Sequence, residues 1–576
     1  MIVLRLKITK SKNAQSLYVI RSTYENGKHS SKIVEKLGTL AELSKQHSDP
    51  IAWAKEYIQQ LNLQEKNSSR KVNIQFYQSK LIAKDVQQSF NIGYLFLQKI
   101  YYKLGLNKIA NEISSKYKFS YNLDSVLARL IYSRIIFPTS KLSTFEEAKK
   151  FLEPIDFELQ HIYRALDVIA EKDLFIQAKL YKNSCRLSKR NDKILFYDCT
   201  NFFFETEVQS GIRQYGCSKE HRPSPIVEMG LFMDGDGIPL AFSIFPGNHN
   251  EQQSLIPLEQ QIINDFSHSK FVVCTDAGLS SIQNRKFNNT SNRRFVTTQS
   301  IKKMKSYLKE WCLDPKGWHA QEYDTSFDIS TLENNSATIE KYKNTTFFKE
   351  RWINEDGLEQ KLIVTFSLKY KFYQQNIRQS QLERAKNIIE NNPSQLAHSR
   401  QNDFKRFISK TTVTSDGEIA KKVIYSIAEE KVDNEAKFDG FYAVCTNLDE
   451  SAYNIAKINH SRWEIEECFR IMKTDFLARP VYLKKDNRIK AHFMTCFLSL
   501  ILLRYLEKKL DFKYTSTEII KTLRSMNLTK VGEEGFIPNY MRTDITNSLH
   551  EAFGFRTDYQ IISKKDMKKI FKLTKE

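Results

Sequence analysis

Three acidic residues occupy positions from which a protein can bind a divalent cation, and strands place two of them. Asp198 lies in an apolar run, residues 194–204, that predicts a buried strand. Asp276 follows the apolar run 271–275, and open α/β sheets place functional groups at the carboxyl ends of strands. A buried carboxylate without a cationic partner is costly. Two simpler interpretations stay open: backbone donors or an arginine satisfy Asp198, and Asp276 caps the helix that follows it.

The third acidic residue, Glu466, is selected by the geometry of a predicted helix over residues 451–476. At about 100° per residue, Arg462, Glu466 and Lys473 fall within about 40° of one another, beside an apolar face. Glu464 and Glu467 fall elsewhere on the helix and point away. The apolar face consists of Ile465, Phe469, Met472 and Phe476. Glu466 is therefore the glutamate that the helix would aim into a cleft. An ordinary surface ion pair with Arg462, worth ~0.3–0.5 kcal/mol, is the alternative.

Carboxylates on two strands and one helix suit a particular chemistry. They can hold two divalent cations about 3.5–4 Å apart, which activate a water or hydroxyl and stabilise the leaving oxygen at a phosphodiester. Ligation by oxygen alone favours Mg²⁺ or Mn²⁺, and no cluster of histidines and cysteines competes for another metal. The eight cysteines are scattered without a C-x-x-C pair, which is typical of the reducing cytosol.

Composition and charge favour a folded cytoplasmic protein with a polyanionic partner. The 576 residues carry 88 Lys and Arg against 67 Asp and Glu, a formal charge of +21, and nucleic acid is the simplest partner for that charge. Hydrophobic residues at 41% exclude a disordered polyelectrolyte. The longest apolar run, residues 493–503, is shorter than the ~20 residues that span a bilayer. We therefore expect no membrane span, and residues 1–17 show no secretory signal.

The elements before the predicted strands form two segments. Residues 1–90 predict a β-hairpin head, with an Asn-Gly turn at residues 26–27, followed by a helix. Apolar residues at helical spacing over 91–191 predict a helical domain.

The remaining elements form a divided core. Strands alternating with helices over 192–298 predict the first part of an α/β core, and 438–510 complete it with the Glu466 helix. Between them, 299–437 is a β-rich insertion with a hairpin over 345–366, and 511–576 is a mixed, basic tail. The predicted fold is a mixed α/β sheet with flanking helices, interrupted by the insertion and preceded by the β head and the helical domain.

Five blocks of sequence occur in an order that resembles a known family. They are 197–205 (YDCTNFFFE), 216–223 (GCSKEHRP), 237–248 (GIPLAFSIFPGN), 275–278 (TDAG), and the Glu466 helix completed by 479–482 (RPVY) and 492–493 (HF). Together they are similar to the RNase H-like DDE transposases of bacterial insertion sequences, in the branch with a β-rich insertion before the catalytic glutamate. The helix signature of that branch, Y-x2-R-x3-E-x6-K, is met by Arg462, Glu466 and Lys473, and Asn459 stands in place of its tyrosine.

The resemblance implies an RNase H-like fold and a Mg²⁺-dependent transposase. Asp198, Asp276 and Glu466 would be the catalytic triad that binds two Mg²⁺ or Mn²⁺ ions, with Arg462 and Lys473 on phosphates at the element's ends. The reaction would be cleavage at terminal inverted repeats, then attack of the freed 3′-hydroxyl on target DNA. The partners would be DNA and a second copy of the chain in a synaptic homodimer, at the nucleoid in the bacterial cytoplasm. The β head (residues 1–90) and the helical domain (residues 91–191) would be the candidates for recognising the ends of the element.

Further candidate DNA contacts are one tryptophan and two basic residues. In similar transposases a tryptophan of the insertion receives a flipped base, and Trp352 on the predicted hairpin is the candidate here. Trp311 and Trp318 are also available, and ordinary core packing is the alternative for all three. Lys219 and Arg222 follow the first core strand and would neutralise phosphates, unless they belong to a solvated face.

Two other functions remain open. A catalytically inactive remnant of an element would bind DNA ends without cutting them. A host nuclease on the same fold would cut DNA without end specificity and without strand transfer.

Overall fold

The structure, a computed structural model, describes residues 3–11, 14–25, 28–68, 72–391, 403–412 and 423–576. The chain forms two compact units, one of Met1–Val86 with Val531–Glu534 and the other of Gln87–Lys530 with Gly535–Glu576. The predicted turn at residues 26–27 lies outside the described residues.

The first unit contains the β head that the sequence predicts. An antiparallel sheet and two helices compose it: β1 (Val3–Lys10), β2 (Gln15–Glu25), β3 (Lys28–Thr39), α1 (Leu40–Leu43) and α2 (Pro50–Ser68). Because side chains alternate along a strand, one face of β1 and β2 turns its apolar residues toward α2, where Leu4, Val19 and Ile58 are buried together. Asn62 fixes this packing, since it accepts from the Leu4 N–H at 2.8 Å and donates to the Leu4 C=O at 2.9 Å.

Residues 91–191 are mainly helical, as predicted. A short strand and six helices follow one another: β4 (Ser89–Asn91), α3 (Tyr94–Lys103), α4 (Leu106–Ser114), α5 (Leu123–Ile136), α6 (Lys141–Ala148), α7 (Leu159–Glu171) and α8 (Asp173–Leu187). Asn122 and Ser140 cap α5 and α6 by accepting hydrogen bonds from the backbone N–H groups of Ser125 and Ser143. Helix α5 is buried on nearly all sides, so this segment packs into the main core.

A mixed sheet forms the centre of the second unit. Its first part consists of β5 (Ile194–Phe203), β6 (Ile226–Asp234), β7 (Pro239–Pro246), α9 (Leu255–Asp265), β8 (Phe271–Thr275), α10 (Ile282–Phe287) and β9 (Arg293–Gln299). Strands β5, β6 and β7 form an antiparallel meander, and β8 and β9 run parallel to β5 in the order β7-β6-β5-β8-β9. The predicted mixed α/β class is confirmed.

The β-rich insertion extends this sheet. It contains α11 (Ser306–Leu313), β10 (Trp318–Ala320), β11 (Tyr323–Phe327), α12 (Ser336–Tyr342), β12 (Phe347–Glu355), β13 (Leu358–Phe366), α13 (Leu368–Asn391), β14 (Ile408–Thr412), β15 (Val423–Ile427) and α14 (Glu429–Ala436). The next strand, β16 (Phe441–Thr446), pairs antiparallel with both β13 and β9. The predicted hairpin, β12–β13, therefore belongs to one ten-stranded sheet that continues through the core.

The predicted continuous helix over 451–476 is wrong. The structure has α15 (Ala452–His460), α16 (Trp463–Arg470), and then a π-helical turn, Ile471–Asp475. The apolar face is buried as predicted, but Ile471, Met472 and Phe476 are all fully buried. Neighbours such as Ile471 and Met472 cannot share one narrow stripe of an α-helix, and the wider turn lets both reach the core.

The next helix, α17 (Asp486–Lys509), is long and apolar enough to cross a membrane by length and composition alone. Its most apolar stretch is 94% buried inside the protein, where it contacts α5 and α7. This is the behaviour of a core helix.

The predicted basic tail is folded. It forms α18 (Ser516–Ser525), β17 (Asn527–Val531), β18 (Gly535–Pro538), α19 (Asp544–Phe553), β19 (Ile562–Ser563) and α20 (Lys564–Thr574). Strand β17 pairs with β4, and Phe555 stacks on Phe96 of α3 at 4.8 Å between ring centroids. Apolar side chains between the basic residues thus pack the end of the chain onto the helical segment.

Candidate active site

The two aspartates come together through the register of two parallel strands. Ile194 of β5 pairs with Val272 of β8, and Phe196 pairs with Cys274. Continuing this register by two residues places Asp198 beside Asp276. Because side chains alternate, both aspartates lie on the face of the sheet that carries Phe196 and Cys274, which packs against α16.

The pair carries negative charge that the protein only partly balances. Burial and the nearby charge of Asp276 raise the pKa of Asp198 to about 6, while Lys219, the Cys199 N–H and Arg462 act in the opposite direction. The Cys199 N–H donates to Asp198 Oδ1 at 2.7 Å, and the Leu279 N–H donates to Asp276 Oδ1 at 3.1 Å. The simpler interpretations therefore also hold: a backbone donor binds Asp198, and Asp276 caps the turn that follows it.

Glu466 does not join the aspartates. Its side chain is 62% exposed, and its Oε1 lies 3.6 Å from Arg462 Nη2, which is the surface ion pair that the sequence left as an alternative. Within the described ranges, no group of three His, Cys, Asp or Glu side chains could hold a metal ion. The predicted triad is thus assembled only in part.

Arg462 lies among all three carboxylates. Burial alone would lower the pKa of Arg462, but the charges of Asp198, Tyr442, Asp276 and Glu466 raise it above its usual value. Arg462 therefore supplies positive charge at the position where a divalent cation would be expected to interact with these groups. The two aspartates fit such a cation as adjacent oxygen donors, and Glu466 would complete the site only after leaving Arg462.

Glu464 and Lys473 each contact other parts of the core. Glu464, predicted to lie away from the Arg462–Glu466–Lys473 stripe, has a partner on another helix: its Oε2 accepts from Arg504 Nη2 of α17 at 2.6 Å. Lys473, in the π-helical turn, is largely buried, with its Nζ 5.6 Å from the Phe202 ring centre. Burial and nearby Lys219 lower the pKa of Lys473 to about 8, against the opposing charge of Asp198. Lys473 is therefore close enough to Asp198 to interact with its negative charge.

The loop after β5 brings further charges to the site. Lys219 Nζ donates to the Cys199 C=O at 2.6 Å and lies 2.9 Å from Glu251 Oε1. The exposed guanidinium of Arg222 stacks over the Phe203 ring at 4.1 Å. Both are near the aspartate strand, as the sequence suggests, but Lys219 is already paired.

Four residues near the site were not predicted from the sequence. They are Glu220, Tyr442, Glu251 and Arg479. Glu220 Oε1 lies 3.7 Å from Lys473 Nζ and also contacts Arg479. Arg479 belongs to the motif RPVY and Glu220 to the block GCSKEHRP, so both lie in sequence blocks that the resemblance identified. Their contact with each other could not be read from those blocks.

Asn459, the departure from the tyrosine of the helix signature, has a tyrosine as its neighbour. Its Nδ2 donates to the Tyr442 hydroxyl at 2.9 Å, and that hydroxyl lies 2.6 Å from Thr298 Oγ1. A phenolic hydroxyl from β16 therefore stands beside Asn459. Sequence spacing alone gives no reason to connect the two positions.

The tryptophans of the insertion differ in exposure. Trp318 is fully buried and Trp311 partly buried in the core of the insertion, so core packing describes both. Trp352 is 48% exposed on β12, with Lys361 Nζ 5.7 Å from its ring centre. Of the three candidates, Trp352 alone offers a large accessible ring.

Comparison with known proteins gives one family match. Residues 190–502 match the family described as "Transposase DDE domain", a range that contains both aspartates, the insertion and Glu466. Among solved structures, the chain is similar to one titled "Cryo-EM structure of piggyBac transposase synaptic complex with hairpin DNA". The sequence identity is 9%, 84% of each chain is covered, and the TM-score is 0.33. No curated protein matches the chain.

Proposed function

The chain belongs to the transposase DDE domain family, and from this premise we propose that it cleaves the ends of an insertion sequence and joins the freed 3′-hydroxyl to target DNA. The observation that carries the proposal is the adjacency of Asp198 and Asp276 on one face of the sheet, with Arg462 and Lys473 beside them. The strand order β7-β6-β5-β8-β9, an antiparallel meander followed by two parallel strands, supports an RNase H-like core.

Phosphoryl transfer requires that the negative charge of the transition state be stabilised and that the reacting groups be held in position. These residues would do both. Two Mg²⁺ or Mn²⁺ ions held by Asp198, Asp276 and Glu466 would activate the attacking oxygen and stabilise the leaving one. Arg462 and Lys473 would bind non-bridging phosphate oxygens and keep the scissile phosphodiester beside the aspartates. The half-exposed Trp352 is our candidate for stacking a displaced base, and Lys219 and Arg222 for contacts with the strand.

Glu466 would enter the site when DNA binds. In the free protein, Arg462 pairs with Glu466. A phosphate bound to Arg462 would compete for the same guanidinium and release the carboxylate toward the aspartates. This exchange would couple the assembly of the catalytic carboxylates to the arrival of the substrate.

The test compares strand cleavage by wild type and Glu466→Gln, on a duplex with the DNA sequences that flank the gene and with Mg²⁺ present. Replacing a residue that hydrogen-bonds to a metal ligand typically lowers metal affinity or activity about 10–100-fold, so loss of a ligand itself should reduce cleavage at least about 100-fold while binding persists. Glu467→Gln is the matched control, because Glu467 is the next residue of α16 and pairs with Arg470 instead.

Each alternative function has its own outcome. Binding without cleavage by wild type would favour an inactive remnant, and cleavage without preference for the ends would favour a host nuclease. Equal cleavage by wild type and Glu466→Gln would refute the role of Glu466.

A further inference from the structure

A cavity of about 470 Å³ lies between the start of α6 and the segment that follows the π-helical turn. Lys141 and Arg134 line it from the helical segment, and Arg479, Tyr482 and His492 line it from the other side. None of the described residues that line the cavity carries a carboxylate. Positive charge therefore predominates in its wall.

Lys141 is the most unusual of these residues. It is only 5% exposed, and in the described part of the chain its Nζ has no hydrogen-bond partner. Burial and the neighbouring charge of Arg134 lower the pKa of Lys141 to about 7. A buried ammonium without a partner is costly, and an anionic ligand would remove the cost.

The neighbours of Lys141 are positive or neutral. Arg134 uses Nη1 and Nη2 to donate to the C=O groups of Phe476 and Thr139, both at 3.0 Å. Burial, Lys141 and Arg134 together hold the pKa of His492 well below its usual value, so this imidazole is neutral at pH 7. These groups leave Lys141 without a counter-charge.

The end of α6 adds to the same preference. Lys141 is the first residue of this eight-residue helix, and Ser140 caps it. The amino end of a helix carries partial positive charge and free N–H groups, which favour an anion. The buried lysine and the helix end therefore favour the same class of ligand.

A chain of contacts connects the cavity to the aspartates. Arg479, in the cavity wall, contacts Glu220. Glu220 lies 3.7 Å from Lys473, and Lys473 lies within the field of Asp198. At the rim, Leu142, Leu477 and Tyr482 expose half or more of their surface, which suits contact with sugars and bases.

We propose that this cavity binds a backbone phosphate of DNA, held by Lys141 and the amino end of α6, on a strand that continues to Asp198 and Asp276. The proposal rests on the proposed function and adds an anchoring site to it. Free inorganic phosphate has the same chemistry, so the test must separate the two sources.

The test measures DNA binding by fluorescence anisotropy across a series of salt concentrations, with Ca²⁺ in place of Mg²⁺ and the flanking-sequence duplex as probe. Each phosphate contact contributes about −0.9 to the slope of log K against log salt. We expect Lys141→Met to make the slope shallower by about one and to weaken binding roughly tenfold. Lys149→Met is the control, because Lys149 follows the same helix but is exposed and paired with Glu146.

Thermal unfolding with added inorganic phosphate supplies the second arm. Lys141→Met removes an unpaired buried charge, so its melting temperature without ligand should equal or exceed that of wild type. Weak DNA binding by a stable variant therefore supports the proposal. DNA binding like that of wild type overturns it, and if phosphate also stabilises wild type but not the variant, the cavity is a site for free phosphate only. Failure of wild type to bind DNA would refute the proposed function and this inference with it.

Discussion

Arg462 is a single positive side chain that interacts with three carboxylates of the candidate site. Its guanidinium lies among Asp198, Asp276 and Glu466, and their charges raise its pKa. Because like charges repel, Arg462 and a divalent cation compete for the same carboxylates. We infer that the free protein binds divalent ions weakly and that DNA, by binding Arg462, strengthens their binding.

Replacing Arg462 should therefore favour metal binding while weakening DNA binding. We expect Arg462→Met to bind Mn²⁺ about tenfold more tightly in the absence of DNA, since a positive charge close to the ions is removed. Isothermal titration calorimetry measures this change. Arg470→Met, which loses the ion pairs with Glu467 and Asp475 and the hydrogen bond to Ser516, should bind Mn²⁺ like wild type. Weaker Mn²⁺ binding by Arg462→Met would contradict the competition.

Glu228 gives a prediction about stability and pH. This β6 residue is buried, its Oε2 has no partner among the described residues, and burial followed by the charge of Glu251 raises its pKa to about 8. An acid whose pKa is higher in the folded state binds more protons there, so its contribution to stability falls as pH rises from about 4.5 to 8. Glu228→Gln should remove this loss and be more stable than wild type by ~1–3 kcal/mol at pH 8.

Urea unfolding at pH 5 and at pH 8 checks the Glu228 prediction. The difference between Glu228→Gln and wild type should be small at pH 5 and large at pH 8. A difference that does not depend on pH would show that the carboxyl group is not protonated in the folded protein.

At the scale of elements, the sequence predicted what local periodicity controls. Alternation and short apolar runs located β5 and β8, and their carboxyl ends located Asp198 and Asp276. Helical spacing identified the buried face of α16, where Ile465 and Phe469 pack. These features depend on neighbours in sequence, which a single sequence displays.

What the sequence did not predict depends on distant partners. A helical wheel contains no information about Arg504, so it placed Glu464 away from Glu466 but did not predict its ion pair with Arg504. In the π-helical turn, Ile471 and Met472 are both buried. This turn depends on packing against the core and not on the sequence of the helix alone. The position of Glu466 also follows from Arg462 in three dimensions, and the wheel offered both interpretations without deciding between them.

Lys473 lies largely buried in the π-helical turn, and we expect it to give DNA binding a pH dependence. The pKa of Lys473 is lowered to about 8, so the side chain loses its charge as pH rises above that value. Because phosphate binds the charged form, DNA affinity should fall between pH 7 and pH 9.5. In Lys473→Arg this part of the fall should disappear, since arginine stays charged.

Anisotropy titrations at several pH values and constant salt test the Lys473 prediction. The remaining dependence in Lys473→Arg, centred near pH 7, would belong to Lys141 and should disappear in Lys141→Met. An identical fall in wild type and Lys473→Arg would show that Lys473 does not contact phosphate.

At the scale of the whole molecule, charge and specificity have different sources. The formal charge of +21 attracts any nucleic acid, and this attraction weakens steeply with salt. Recognition of particular ends needs contacts with bases or with DNA shape, which the proposed catalytic carboxylates would not supply. A separate recognition surface is therefore expected, and homodimeric synapsis of two ends would use it twice.

Deleting residues 1–86 tests where that surface lies. These residues belong to a compact unit of their own, so the remainder should keep its fold, apart from Val531–Glu534. We expect the truncated protein to retain salt-sensitive, non-specific binding but to lose its preference for end sequences. Specific sites bind typically about 10³-fold or more tighter than other DNA, and the ratio should fall toward one. Competition of end and scrambled duplexes measures the ratio, and circular dichroism confirms folding. A ratio that stays high would place recognition outside residues 1–86, and the helical segment, residues 91–191, would be the next candidate.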